Sequence, residues 1–448
     1  MRRRLLHRPV AVDLARRLGA LRRWSHTTWR IGILTFLATG LGVLLAANLS
    51  LGDKKIDTSV ASLYGVGDPQ FVRTMGVMLG PALVPGNRTR ALVNGDEIFP
   101  EMLEAIRGAR KSITFEMYIY WKGSIGEQFT AALEERARSG VKVHVLIDAV
   151  GSQKIEKKVL GRLRDAGARV ELYNPVRWDT IARMNNRTHR KIMVIDGAVG
   201  YTGGAGIGDE WSGDAQDSSH WRDTHFRLEG PAVAQMQAAF MENWIEVTGE
   251  VLHGPEYFPE LRAAGGELAQ FFVSSPGGGG ESAQLLYLMS IAAARRSIQL
   301  SAAYFVPDDN EVRQFIEARR RGVQVRIIVP GPVTDSAVVR RASRSTWGEL
   351  LRAGVEIYEY QPTFYHVKVM TVDGLWVTVG STNFDSRSFS TNDEANLNVY
   401  DREFARHQER IFEQDLASSR RITLEEWERR PFSEKLWEHL MGLLSSQL

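Results

Sequence analysis

Apolar positions along this chain follow two alternating rhythms. Over residues 97–110 they recur every three to four positions (Ile98, Met102, Leu103, Ile106), which predicts an amphipathic helix. Residues 112–120, rich in β-branched and aromatic side chains, predict a strand. A second helix is expected through Phe129, Ala132, Leu133 and Ala137 and stops at Gly140, and 141–148 alternates as a strand. The order then returns, with a helix at 284–295, a strand at 297–305, a helix at 312–321 ended by Gly322, and a strand at 323–329. The equivalent pairs Ser112/Ser297, Gly140/Gly322 and Gly167/Gly354 keep a nearly constant offset, which marks an internal repeat. Strands alternating with helices predict α/β layers with helices on both faces of mixed sheets.

The flanks differ from this body. Residues 31–51 contain no charged side chain, and roughly 20 such residues suffice to span a hydrocarbon core. Before them, residues 1–30 hold nine Arg and one acid, Asp13. That tail carries +8 of a net +3, so the rest carries −5. A mildly acidic body argues against an extended nucleic-acid surface. The Arg-rich flank predicts a single-pass anchor with its N-terminus in the cytoplasm and the body on the far side of the cell membrane. The alternative is a cleaved signal peptide, disfavoured by the long basic region and by Leu45-Ala46-Ala47, a poor cleavage site. The expected order is a basic tail (1–30), an anchor (31–51), a linker (52–87), two α/β halves (88–265 and 266–430) and a C-terminal amphipathic helix (431–448). Residues 274–280 form a flexible, Gly-rich loop by composition. The last helix places Leu436, Trp437, Leu440, Met441 and Leu444 on one face. It is expected to dock on the body, the alternative being an interfacial membrane helix. There is no Cys, which excludes disulfides and thiolate metal sites.

The chemistry lies in a sentence written twice. His189-Arg190-Lys191, followed by Asp196, fits H-x-K-x4-D, and His366-Val367-Lys368, followed by Asp373, fits it again at the matching place in the second half. Gly203-Gly204 follows Asp196 at the same distance as Gly380-Ser381 follows Asp373. In a strand, residues i and i+2 share a face, so each His projects with its Lys. Met193 and Ile195, and Val369 and Thr371, are expected to continue that face into the core. Two Lys provide fixed positive charge for a phosphate and for its more negative transition state. Two His divide the work, one attacking phosphorus and the other protonating the leaving oxygen, then exchanging roles. Such a ping-pong exchange of phosphodiesters needs no metal or other cofactor. The Lys residues would repel a cation, and no metal-ligand motif appears.

The paired motifs resemble the HKD signatures of the phospholipase D superfamily, and their context is most similar to the bacterial cardiolipin synthases. The supporting stretches are 188–197, 206–211 (Gly-Ile-Gly-Asp-Glu-Trp), 221–225 (Trp-Arg-Asp-Thr-His) and 383–388 (Asn-Phe-Asp-Ser-Arg-Ser), and the resemblance spans roughly residues 88–445. It implies two pseudo-symmetric phospholipase D-like halves meeting at one active site. It implies a catalytic set of His189, Lys191, Asp196, His366, Lys368 and Asp373, with His189 as nucleophile, His366 as acid and base, the lysines on the phosphate, and the aspartates supporting the fold. Asn383 would add a hydrogen bond, and Ser381 and Gly204 would form the small-residue turns. An acid orients each His, and the resemblance assigns Glu394 to His366 and Asp223 to His189. One departure stands out: Gly206 occupies the first-half position of Asn383. Tyr118, Tyr120 and Trp121 read as core or rim packing, and His220 and His225 as structural. The implied activity is transfer of a phosphatidyl group between phospholipids, phosphatidylglycerol foremost, at a membrane and without nucleic acid. A hydrolase releasing phosphatidic acid, or a nuclease of the same superfamily, is the alternative.

Overall fold

A computed structural model describes residues 28–43, 56, 58–61, 64–175, 186–276 and 281–442. Residues 28–43 are helical. Among the described residues no helix is long and apolar enough to cross a membrane. Residues 44–51 of the expected anchor, 1–27 of the tail and 277–280 of the expected loop lie outside the described residues.

The first half contributes β1 (Val84–Val93), β2 (Ser112–Met117), β3 (Lys142–Asp148), β4 (Arg169–Tyr173), β5 (Lys191–Ile195), β6 (Val199–Gly203) and β7 (Thr224–Glu229). The second contributes β8 (Glu267–Ser274), β9 (Ser297–Ala302), β10 (Phe305–Val306), β11 (Gln324–Pro330), β12 (Glu356–Tyr360), β13 (Lys368–Val372), β14 (Trp376–Gly380), β15 (Phe384–Asp385), β16 (Glu394–Tyr400) and β17 (Ser419–Ile422). From the seam outward, the first half runs β1-β7-β6-β5-β2-β3-β4 and the second β8-β16-β14-β13-β9-β11-β12, with β17 added at the edge. The repeat in the sequence is therefore a repeat in topology. Antiparallel pairing of β1 with β8 joins the halves into one mixed sheet of 15 strands, and β10 and β15 form a separate parallel pair.

The helices at 94–108, 124–138, 281–293 and 309–320 lie where the apolar period places them. Asn94–Gly108, Ser124–Arg138 and Lys157–Asp165 cover the outer face of the first half, and Glu281–Ala293, Asp309–Arg320 and Ala337–Arg352 that of the second. Asp308 and Glu311 start the Asp309–Arg320 helix with a reciprocal capping box. Helices Val233–Thr248 and Arg402–Ala417 pack in a central core with residues from both halves, including Ile192, Val194, Val369 and Val377. Strand β5 is buried on both faces: Ile192 and Val194 enter the central core, Met193 and Ile195 the outer one. In β13 the face shared with His366 and Lys368 continues through Met370 and Val372, which join the outer core, and not through Val369 and Thr371 as expected. The period of two admits only the even positions on that face.

Asp196 and Asp373 each tie their own half together internally. Each sits in the left-handed region at φ 53° just after its strand, at the opposite end of that strand from the His–Lys pair. The Asp196 carboxylate accepts from the backbone N–H groups of Arg110, Lys111 and Ser112 at 3.0, 2.7 and 3.0 Å. Asp373 accepts from those of Arg295, Arg296 and Ser297 at 2.9, 2.7 and 2.9 Å. Both carboxylates thus secure the start of the neighbouring strand, β2 or β9. Of the six motif residues, these two stand apart from the chemistry.

Candidate active site

Each His sits two residues before the strand that begins with its Lys, in extended backbone bridged to the other half. Thr188 bridges Asp393 and Arg222 bridges Tyr365, both in parallel sense. The His189 N–H donates to the Asp393 carbonyl at 2.8 Å, and the His366 N–H to the Arg222 carbonyl at 2.8 Å. Each bridge is anchored from behind. Asp415 takes both arms of the Arg222 guanidinium at 2.8 Å and accepts from the Tyr365 hydroxyl at 2.9 Å, and the Tyr173 hydroxyl donates to Asp393 at 2.6 Å.

These bridges set which acid meets which His. The residue after Asp393 is Glu394, and its carboxylate lies 3.0 Å from His189 Nδ1. The residue after Arg222 is Asp223, and its Oδ2 lies 2.7 Å from His366 Nδ1. The assignment drawn from the family resemblance is therefore reversed: each orienting acid comes from the half opposite its His. The cause is the parallel register across the seam, which brings the residue before each acid beside the residue before the other half's His.

The carboxylates are supported unequally. Ser381 donates to Glu394 Oε2 at 2.5 Å and accepts from the Ala395 N–H at 3.0 Å. Trp211 donates its indole N–H to Asp223 Oδ2 at 2.9 Å, and the Thr224 N–H donates to Oδ1 at 2.8 Å. Gly204, the counterpart of Ser381, leaves room for this shorter acid, since a Cβ there would lie 2.2 Å from Asp223 Oδ1. Gly206 is explained in the same way. A Cβ there would meet Ile119 at 2.8 Å and the Trp211 ring at 3.2 Å, so these two side chains fill the space that a side chain at 206 would need. The Asn383 amide lines the cavity, and its buried Oδ1 has no hydrogen-bond partner among the described residues.

Both His face one cavity of about 590 Å³, whose wall also includes Lys191, Tyr118, Tyr304 and Arg387. His189 packs edge-on against Tyr118 at 4.9 Å, while His366 is boxed by Trp211, Trp221 and Phe364 at 5.4–5.6 Å. Burial lowers both imidazoles, to about 4 for His189 and about 3 for His366, with Lys368 adding to the effect on the latter. Burial alone would raise Glu394, but His189, Lys191 and the Ser381 hydroxyl hold it at about 2. At neutral pH the resting site thus holds neutral imidazoles, each with its Nδ1 proton donated to a carboxylate, which leaves Nε2 as the basic atom. Lys368 Nζ lies 3.1 Å from His366 Nε2. His189 Nε2 makes no such contact among the described residues.

The lysines are poised for an anion. Both are buried, and each donates to its own motif His carbonyl at 2.8 Å. Burial pushes Lys191 down to about 7 and Lys368 to about 8, against the pull of Glu394 and Asp223. A bound dianion restores both charges, so binding at pH 8 takes up roughly one proton or more. Titrating the protein calorimetrically with tungstate, in buffers of different ionisation enthalpy, tests this. Lys191→Met is expected to remove at least half the uptake, and heats that do not vary with buffer would refute the charge assignment.

Several wall residues were not singled out from the sequence. Arg387 has no ion-pair partner among the described residues, and Tyr304 donates to Asp335 at 2.5 Å. Lys154 lies 3.5 Å over the Trp121 ring. Arg387 and Trp211 lay within the stretches that carried the family resemblance, but spacing alone gave neither a role. Tyr120 is core, whereas Tyr118 and Trp121 line the cavity. His220 pairs with Asp217 at 2.8 Å near the surface, and His225 is fully buried, with neither ring nitrogen hydrogen-bonded among the described residues. Among the described residues no group of three or more His, Asp or Glu is arranged to hold a metal.

This geometry defines a two-histidine phosphodiester site shared by two fused α/β halves. The profile of the family described as cardiolipin synthase, PLD-like domain, matches residues 102–244 and 287–416, and the chain belongs to that family. It is 39% identical over 363 residues to the cardiolipin synthase of Geobacillus sp. (strain WCH70), covering 80% of this chain and 72% of the relative. It is 38% identical over 364 residues to cardiolipin synthase 2 of Bacillus anthracis, covering 80% and 70%. The crystal structure of phosphatidylserine synthase from Haemophilus influenzae Rd KW20 superposes with a TM-score of 0.66 at 14% identity, over 84% of this chain and all of the other. That likeness concerns the fold.

Proposed function

We propose that this chain is a phosphatidyltransferase that makes cardiolipin from two molecules of phosphatidylglycerol. The observation that carries the reading is the pair of buried imidazoles, each fixed through Nδ1 by the opposite half's carboxylate, facing one cavity with Lys191, while Lys368 Nζ stands 3.1 Å from His366 Nε2. His189 Nε2 attacks the phosphorus of the first lipid. The bond to its headgroup glycerol breaks, that oxygen takes a proton from His366 Nε2, which draws it from the Lys368 ammonium 3.1 Å away, and glycerol leaves. The hydroxyl of the second lipid then gives its proton to His366, which returns it to Lys368, and attacks the phosphohistidine, releasing His189 and cardiolipin. The open Nε2 of His189 suits the nucleophile, and the contact of Lys368 with His366 suits a proton carrier. Lys191, Lys368 and Asn383 hold the phosphoryl oxygens. Arg387, with no ion-pair partner among the described residues, fits the phosphate that the acceptor lipid brings with it.

The uncharged run at 31–51 and the Arg-rich residues before it support a single-pass anchor, with the two halves (88–265 and 266–430) on the far side of the membrane. An anchor keeps the cavity beside a substrate that barely dissolves. The test is incubation of the purified full chain with phosphatidylglycerol in the presence of a chelator. Cardiolipin and glycerol in equal amounts are expected. Phosphatidic acid as the sole lipid product would assign a hydrolase, and cleavage of DNA without lipid turnover would assign a nuclease.

A further inference from the structure

The C-terminal helix, Phe432–Gly442, docks the wrong way round for a soluble protein. Its buried residue is charged: Glu438 is 3% exposed, and it accepts from Arg344 Nε at 2.8 Å and from Arg430 Nε at 2.6 Å. Gly442 approaches so closely that a Cβ there would lie 2.8 Å from the Ser345 hydroxyl. At 100° per residue the opposite side carries Phe432, Leu436, Trp437 and Leu440. These are 79, 46, 52 and 40% exposed. A surface helix ordinarily buries its apolar stripe and exposes its charge, so here the apolar stripe has been left for something else.

We infer that this face inserts into the surface of the phospholipid bilayer and seats the cavity on its substrate. Two features favour a bilayer. The helix packs on Ala337–Arg352, and the first turn of that same helix holds Val339, which lines the catalytic cavity, and Val338, which is 39% exposed. The apolar face is thereby linked to the cavity through one rigid element. Its composition also fits an interface, with a Trp among aliphatic side chains and Lys435 at the margin. A second copy of the chain fits less well. Four side chains of one short helix offer a few hundred Å², against the roughly 1,200 Å² or more that specific stable interfaces bury.

The inference rests on the reading that the substrates are membrane lipids, and the experiment separates the two. The chain has no Cys, so a single introduced thiol carries a label uniquely. The full-length Leu440→Cys variant bearing an environment-sensitive fluorophore is placed in vesicles of phosphatidylglycerol and phosphatidylethanolamine, with Glu434→Cys as the control on the other side. Label 440 is expected to shift to the blue and to be quenched at least threefold more than label 434 by lipids brominated along the acyl chain. A label at 440 that stays as wet as at 434, while the same vesicles yield cardiolipin, overturns the inference and spares the function. A quenched label with no lipid turnover spares the inference and overturns the function. As a second readout, Leu436→Asp/Trp437→Asp/Leu440→Asp is expected to lose at least tenfold in activity on vesicles. On short-chain phosphatidylglycerol dispersed in detergent it should stay within twofold of the parent. Equal activity on both substrates, or protection of label 440 by dimer formation without vesicles, overturns the inference.

Discussion

Replacing His189 with Ala is expected to end cardiolipin formation and the phosphoenzyme together, a loss on the order of 10⁵-fold or more. The size follows from the absence of a substitute. The other basic atoms near the phosphorus are the lysine amines and His366 Nε2. The amines are drawn towards protonation by any bound phosphate, and His366 Nε2 lies 3.1 Å from Lys368 Nζ. His366→Ala should behave differently: it removes the proton donor but leaves His189 Nε2 and its Glu394 partner in place. A slowly formed, long-lived adduct should therefore accumulate on that variant. The measurement uses phosphatidylglycerol labelled at phosphorus, quenched in base, where phosphohistidine survives, and then acidified, where it does not. If the adduct instead formed on His189→Ala and was missing from His366→Ala, the two histidines would have to exchange roles.

The sequence carried the repeat, both His–Lys pairs and the helices Asn94–Gly108, Ser124–Arg138, Glu281–Ala293 and Asp309–Arg320 because those are local signals. Hydrophobic periods of 3.6 and 2 predict the helix at 94–108 and strand β3 to within a few residues. The pairing of acids with histidines is of another kind. It depends on the bridges of Thr188 to Asp393 and of Arg222 to Tyr365, each joining one half of the chain to the other. Nothing in the spacing of either motif encodes that register. The family resemblance assigned Glu394 to His366, within the second half, and the seam between the halves overrode it. The role of Trp211 was hidden for the same reason, since its indole reaches Asp223 by folding back through the turn that Gly204 and Gly206 permit. The last helix was legible as amphipathic, but which face it buries depends on Glu438 finding Arg344, a partner on a different helix.

The crossed pairing has its own consequence for kinetics, separable by the choice of leaving group. Asp223 fixes the tautomer of His366, so Asp223→Asn should impair the acid. With phosphatidylglycerol, whose glycerol leaves poorly without a proton, the loss should be about 10²–10⁴-fold. With phosphatidyl-p-nitrophenol the leaving group needs no proton, and the first-turnover release of nitrophenol should return to within about tenfold of the parent. Glu394→Gln should show no such rescue. Its carboxylate holds Nδ1 of the attacking imidazole and lies fully buried between His189 and Ser381, so nucleophilic attack is lost whichever group departs. The single-half arrangement, with Asp223 serving His189, demands the reverse: rescue for Glu394→Gln and none for Asp223→Asn. Circular dichroism and a urea midpoint for each variant guard against a misfolded one, because each change leaves a buried lysine without its counter-charge. The two patterns cannot both arise from one register. Burst amplitudes with the two substrates therefore report directly whether each half of the molecule lends its acid to the other, and a chain that does so has no half that works alone.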